Sequence, residues 1–412
     1  MLCNIQPITS KKVIKFDKLV LNTTLYINYM EKKLKFGIYI HIPFCSSRCI
    51  YCGFYSTTLA KTMETGYVEA LLHEIKLRKK EPLCFCGEGE TPVVDTIYIG
   101  GGTPSCLKSE NVGRILSCVN ETYECQLREV TMEMNPDDIT DEYVKEVKGY
   151  GVNRISMGIQ SFDDSRLRFL RRRHTAEIAR NAVSTVRRAG ISNVSIDLMF
   201  GFPGQTVSEW QEDVRKGVEL APSHISAYSL MYEEGTPLFS LLEKGKVSQI
   251  ADETSIEMYE SLIDQLSSAG YEHYEISNFA KPEHRSLHNS SYWHDVPYLG
   301  FGASAHSYTI GKRSSNVADI RQYMESLRTG ILPSSMEIID DDTHYDDLVT
   351  TALRTKEGLY VDSLKPKYRE YIMKAAKRNI DAGLMAMDNG HLHLTRKGLF
   401  VSDMVMCDLI YT

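Results

Sequence analysis

The sequence predicts an α/β protein: an open, partial (β/α)6 barrel followed by a smaller C-terminal α+β region of winged-helix type. Strand-like and helix-like segments alternate six times between about residues 37 and 230. The strands are apolar with little alternation, as expected where helices cover a parallel sheet. Polar or glycine residues close every strand at the same end, the end at which α/β proteins build their sites. A doubly wound sheet satisfies the first two observations, and the third favours the barrel.

The first patterned segment is "GIYIHI", after Met30 and a charged stretch; helix "ETGYVEALLHEIKLRKK" follows. Strand "VVDTIYIGGGTP" runs into glycines before helix "KSENVGRILSCVNETY". The alternation continues through strands "EVTMEMNP", "NRISMGIQS", "VSIDLMFGFPGQ" and "HISAYSL", with helices "TDEYVKEVKGYG", "TAEIARNAVSTVRRAG" and "SEWQEDVRKGVEL" between them. Gly151 and Gly190 stand where helix C-termini are expected. A helix, "ETSIEMYESLIDQLSSAG", then leads into an irregular aromatic and His-rich stretch from Tyr271 to Tyr308. After the acidic run Asp340–Asp342, helical stretches near 345–355 and 367–382 precede "LMAMDNGHLHLTRKGLF", whose DNG turn between short apolar strands gives the winged-helix reading. The expected division is an extension over 1–35, the barrel over 36–275, a linker over 276–335 and the C-terminal unit over 336–412. Met30 is an alternative translation start.

The chain has 412 residues, 47 Lys plus Arg against 54 Asp plus Glu, a net charge of -7, and 42% hydrophobic residues. This is an ordinary globular mixture, with no general electrostatic reason to bind nucleic acid. The arginine-rich run "RLRFLRRR" has no accompanying aromatic series for base stacking. Lacking a signal-peptide core or a long apolar run, the sequence reads as cytoplasmic, where its 10 Cys are free thiols or metal ligands rather than disulfides.

Cys45, Cys49 and Cys52 lie in "CSSRCIYC", directly after the first strand. Three thiolates this close can face one point and select iron–sulfur, zinc or copper(I). A zinc knuckle would need a distant fourth ligand. A four-iron cluster would keep one iron open. Cys84 and Cys86, in "PLCFCGEGE", read as ordinary free thiols, and Cys118 as a packed helix residue.

CxxxCxxC together with "GGGTP" resembles the radical S-adenosylmethionine (SAM) superfamily. The finer motifs "GIYIHIPFCSSRCIYCGFYS", "VTMEMNPDDIT", "GVNRISMGIQSF", "SIDLMFGFPGQT", "HNSSYW" and "YLGFGASAHS" resemble the HemW family of haem chaperones, relatives of oxygen-independent coproporphyrinogen III oxidase. The resemblance implies a TIM-like radical SAM barrel, a [4Fe-4S] cluster on Cys45, Cys49 and Cys52, and SAM on the open iron. Carried over position by position, it puts Tyr39 beside the cluster and Gly102 and Thr103 at the methionine part. Glu133 would accept from an amine or hydroxyl, and Gln160 would supply a polar contact. Arg172 would meet the cofactor carboxylate, and Asp197 would lie on the adenosine side. His288 of "HNSSYW" is the candidate haem-iron ligand, with Tyr292 and Trp293 packing on the macrocycle; His294 and His306 are unranked neighbours.

The oxidase is the alternative, and its pattern carries a further Cys immediately after the residue that follows the third cluster Cys. Here that stretch reads Cys52, Gly53, Phe54. HemW-like sequences usually have Asp at the position of Gly53, so this chain departs from both patterns there. The resemblance further implies haem as ligand, an electron donor such as a flavodoxin or reductase, and a transient haem-protein recipient, met at the membrane surface.

Overall fold

The six predicted strands form one parallel run. The computed structural model describes residues 32–58, 60–87 and 90–411. Residues 1–31, with Met30 and most of the expected extension, lie outside the described residues. Strand β1 (Lys32–Ile42) starts four residues before the boundary read from the sequence. Helix α1 (Ala60–Leu77), β2 (Glu90–Gly101), α2 (Ser109–Thr122), β3 (Cys125–Met134), α3 (Asp141–Gly149) and β4 (Arg154–Gln160) follow in order. Next come α4 (Asp164–Phe169), α5 (Ala176–Arg188), β5 (Asn193–Phe200), α6 (Val207–Glu219) and β6 (His224–Ser229). Thr140, Thr175 and Thr206 each cap a helix by accepting a backbone N–H, and Thr206 with Glu209 completes a capping box.

The neighbours run β1-β2-β3-β4-β5-β6 in chain order, each pair parallel. A doubly wound sheet would reverse its order partway, so the barrel reading holds. The sheet ends in two edges rather than closing on itself, which leaves the barrel open. Its core includes Ile38, Ile40, Ile97, Ile99, Val130, Met132, Ile155 and Ile196, packed against helix residues such as Leu71, Ile115, Val147 and Val183.

The sheet extends beyond the six strands. Helices α7 (Pro237–Glu243) and α8 (Asp252–Ser268) lead to β7 (Glu272–Glu275) and β8 (Asn278–Ala280), and β8 pairs antiparallel with β6. Helix α9 (Leu287–Trp293) precedes β9 (Tyr298–Phe301), which runs parallel to β1 on its other side. Strands β10 (His306–Thr309) and β11 (Lys312–Asn316), helix α10 (Ile320–Arg328) and strand β12 (Ser334–Ile338) complete a 12-stranded sheet. The stretch read as irregular and the segment read as a linker therefore contribute strands to the sheet. These strands are too short to show a period, and the two that join the extension to the barrel, β8 and β9, find their partners β6 and β1 far away in the chain. A buried carboxylate fixes one side of this extension. Glu74 on α1 accepts from Tyr323 Oη (2.6 Å), Gly302 N (2.9 Å), Asn316 Nδ2 (2.8 Å) and Arg78 Nη1 (3.0 Å), so its buried charge is fully paired.

The C-terminal unit contains α11 (Asp341–Ala352), β13 (Leu359–Tyr360), α12 (Pro366–Ala375), α13 (Lys377–Asp381), β14 (Met385–Asp388), β15 (His391–Leu394), α14 (Arg396–Leu399) and α15 (Ser402–Cys407). Its antiparallel sheet has the order β13-β15-β14, and its own core gathers Tyr345, Val349, Ile372, Leu392 and Leu409. Among the described residues no helix is long and apolar enough to cross a membrane.

Candidate cofactor site

A cavity of about 620 Å³ opens at the C-terminal ends of the parallel strands. Nine of the eleven residues singled out from the sequence line it: Cys45, Cys49, Cys52, Gly102, Thr103, Glu133, Gln160, Arg172 and Asp197.

The cysteine loop leaves β1 and is tied back at its base. Cys45 N donates to Thr57 O (2.9 Å) and Thr57 N to Pro43 O (2.6 Å). Its middle is held by Ile50, buried with Leu170, Met199, Phe202, Leu230 and Leu238, whose N–H donates to Leu170 O (3.3 Å). Apolar anchoring of this kind leaves the flanking thiols turned to the cavity. Thr103 Oγ1 donates to Cys45 Sγ (3.4 Å) and Arg172 Nη1 to Cys49 Sγ (3.6 Å). Cys45, Cys49 and Cys52 are free. Among the described residues no three His, Cys, Asp or Glu side chains are drawn close enough to hold a metal ion, so the thiols share the cavity without meeting at a point.

The glycines after β2 are a matter of space. Gly101 has φ +111°, and a Cβ on Gly102 would stand 2.7 Å from Phe44 O, 3.0 Å from Ile42 O and 3.1 Å from Cys45 Sγ. The turn therefore lies directly against the cysteine loop. Glu133, at the end of β3, accepts from Tyr98 Oη (2.7 Å) and Gly101 N (3.1 Å). Burial pushes its carboxyl up to about 7. Asp197 on β5 is raised to about 6 by burial, against the opposing effect of hydrogen bonds from Ser226 and Ser156. Arg172 Nη2 donates to Asn135 Oδ1 (2.7 Å) and Gly158 O (2.6 Å). Gln160 adopts φ +69°, unusual for a residue with a Cβ, and turns the chain at the end of β4.

The family model for the radical SAM superfamily matches residues 39–217. The heme chaperone HemW of Lactococcus lactis is 33% identical, over 87% of this chain and 93% of that protein. HemW of Bacillus subtilis is 32% identical, over 89% and 97%. The chain belongs to the radical SAM superfamily, close to HemW and HemN. The coproporphyrinogen III oxidase HemN of Escherichia coli shares its fold, with a TM-score of 0.77 at 21% identity over 94% of this chain and 93% of that one.

Membership of this superfamily implies SAM and an iron–sulfur cluster in general, and the radical SAM cavity fits them. Its donor set combines three soft thiols with an arginine for a carboxylate and two half-buried acids for an amine or hydroxyls. At Gly102 the wall has no room for a side chain.

Two expected residues stand elsewhere. Tyr39 does not line the cavity; its Oη pairs with His41 Nδ1 (3.0 Å) and its ring stacks on Tyr98. His288 is 1% exposed, with Nδ1 bonded to Thr96 Oγ1 (2.8 Å) and Nε2 to Tyr292 Oη (2.8 Å). An iron ligand needs a free ring nitrogen, and His288 as placed offers none. Glu129 holds this arrangement by accepting from the backbone N–H groups of Leu287 and His288, each at 3.0 Å, at the start of α9. The neighbouring Asn289, rather than His288, faces the cavity.

Arg154, Ser156, Ser226, Tyr228, Asn135 and Glu233 also line the cavity and were not singled out from the sequence. Ser226 and Tyr228 sit on the alternate, inward positions of "HISAYSL", which is the one signal that could have found them. The Glu233 carboxylate lies against Gly53, in the space that a side chain at 53 would take, and would have to swing aside to admit one.

Proposed function

We propose that this chain is a radical SAM [4Fe-4S] protein that binds haem and delivers it to respiratory haem proteins. The observation that carries the reading is the 33% identity to a HemW across nearly the full length of both chains. Cys45, Cys49 and Cys52 would hold the cluster, and Arg172 and Glu133 the two charged ends of the methionine part. Asp197 would take the adenosine side. When bound, the pair supplies one-electron chemistry at the SAM sulfonium. The protein's share is to fix the carboxylate with a planar guanidinium, to present soft sulfur to iron, and to exclude water with Tyr98 and Met199. The implied partners are haem, an electron donor such as a flavodoxin or reductase, and a recipient haem protein at the membrane surface, reached from the cytoplasm.

The second reading, coproporphyrinogen III oxidation, is favoured by the fold shared with HemN. Against it stands Gly53–Phe54, without the further cysteine of the oxidase pattern. Anaerobically reconstituted protein should contain about four irons per chain, as a four-iron cluster requires. It should bind hemin in an optical titration and leave coproporphyrinogen III unchanged in the presence of reductant and SAM. Absence of hemin binding overturns the chaperone reading; formation of protoporphyrinogen establishes the alternative.

A further inference from the structure

The run "RLRFLRRR" belongs to the cofactor site only in part. Arg172 lines the cavity, Arg166 pairs with Glu209 (3.0 Å), and Arg173 pairs with Asp137 (2.6 Å) and Asp138 (2.8 Å). Arg168 and Arg171 are exposed, and among the described residues neither guanidinium has an ion pair or a hydrogen bond. Elsewhere on the surface Arg114, Arg188, Arg215 and Arg328 are all neutralised by carboxylates. Arg171 is also held at φ +61°, a left-handed conformation that glycine adopts freely and that strains a residue with a Cβ. A strained, exposed cation without a partner in its own chain points to a contact outside it.

These two arginines sit against the cysteine loop. Ile50 N donates to Leu170 O (3.3 Å), the carbonyl that precedes Arg171, and Arg171 N donates to Arg168 O (3.0 Å). Ile50 and Leu170 share one apolar cluster, on which Phe169, Leu241 and Val247 also pack. Arg48, in the cysteine loop itself, is likewise exposed and unpaired among the described residues. So are Lys244 and Lys246 at the end of α7, with Glu234 and Glu243 as the exposed acids on that side. On the arginine side the acids are committed: Asp163 caps α4, and Asp164 accepts from Ala176 N (2.8 Å). A local excess of positive charge therefore flanks the thiols of a chain whose net charge is -7.

The one-electron chemistry proposed above draws on a separate donor. Tunnelling falls steeply with distance, so the donor's redox group has to dock over the loop that carries the thiols. A basic patch at that place, on an otherwise acidic protein, attracts an acidic partner and repels the wrong face of this chain's own copies.

We propose that the face formed by Arg48, Arg168 and Arg171, flanked by Lys244 and Lys246, is the docking surface for an acidic flavin-bearing electron-carrier protein. One electron passes from the carrier's anionic flavin hydroquinone to the cluster, with no bond or proton exchanged. The inference rests on the radical SAM reading above and names the surface through which its electron enters.

The test uses the reconstituted full chain with a recombinant flavodoxin as the probe. Arg168→Glu with Arg171→Glu should weaken flavodoxin binding in calorimetry at least tenfold at low salt and flatten its salt dependence. Bleaching of the cluster absorbance by reduced flavodoxin should slow by a similar factor, whereas bleaching by photoreduced deazariboflavin, a small neutral donor, should not change. Arg171→Gly, which relieves the left-handed backbone, should keep the urea midpoint and still weaken flavodoxin binding several-fold. Wild-type binding and reduction in both variants overturn the docking surface, as does a wild-type chain that does not bind flavodoxin. Loss of binding to phosphatidylglycerol vesicles, with flavodoxin binding intact, assigns the patch to a membrane and also overturns it. Iron content and the hemin titration test the underlying reading separately.

Discussion

His288→Ala separates a structural histidine from a ligand. The wild-type ring is fully buried, stacked 5.3 Å from Tyr98, and satisfies Thr96 Oγ1 and Tyr292 Oη, each at 2.8 Å. Removing it strands two buried hydroxyls, each costing about 1–3 kcal/mol. The space left by the imidazole adds to that, and partial relaxation around it brings the expected loss to about 3–5 kcal/mol. Denaturant unfolding followed by far-UV circular dichroism should show the midpoint falling with an unchanged slope. With both His288 nitrogens given to Thr96 and Tyr292, a purely structural role predicts that any hemin bound by the folded variant keeps the wild-type Soret position. The opposite pattern, unchanged unfolding with loss of the axial-ligand signature, would refute the argument and return His288 to the iron.

Gly102→Ala should cost about 1–3 kcal/mol, since its Cβ meets backbone oxygens that cannot swing away, and should lower iron content after reconstitution; full iron loading at wild-type stability would contradict this. Gly53→Asp should push the Glu233 carboxylate aside and destabilise by about 1 kcal/mol, with Glu233→Ala in the same chain recovering most of the loss in a double-mutant cycle. Stability should rise with pH from about 4.5 to about 6.5. Burial lowers His41 and His174 to about 4 and His288 to about 3, and takes His224 well below its usual range, so there the unfolded chain binds more protons and each group adds up to about 1.4 kcal/mol per pH unit. Asp197 and Glu133, raised to about 6 and about 7, bind more protons when folded and oppose this, but the histidines outnumber them. The net slope is therefore positive, and urea titrations at pH 5 and 6.5 check its sign.

The parallel core was legible because each of its strands carries a long apolar run and each helix a repeating face. Ile38, Ile97, Val130, Ile155 and Ile196 announce a two-sided sheet without any knowledge of the fold. Strands β7 to β12 were not legible. Asn278–Ala280 is three residues long, and what makes it a strand is its pairing with β6, far away in the chain. The cavity residues divide in the same way. Cysteines and strand-end acids are recognisable by type and position, whereas Arg154, Tyr228 and Asn289 matter through inward orientation, which one chain's spacing does not disclose.

The same limit applies at "HNSSYW". Its residue types suit haem: an imidazole, an amide and two aromatics. Only the fold shows that Glu129 caps the start of α9, which turns His288 inward to Thr96 and Tyr292, leaves Asn289 at the cofactor cavity and puts Trp293 under Arg354. The same short helix thereby lines the cofactor cavity with Asn289 and, one turn on, packs Trp293 against Arg354 of the C-terminal unit. Trp293→Leu, which removes the cation–π contact but keeps an apolar side chain, should destabilise the fold by about 0.5–2 kcal/mol in urea unfolding and leave iron content after reconstitution unchanged. Loss of iron at unchanged stability would instead place the influence of Trp293 on the cluster and not on the packing of the C-terminal unit.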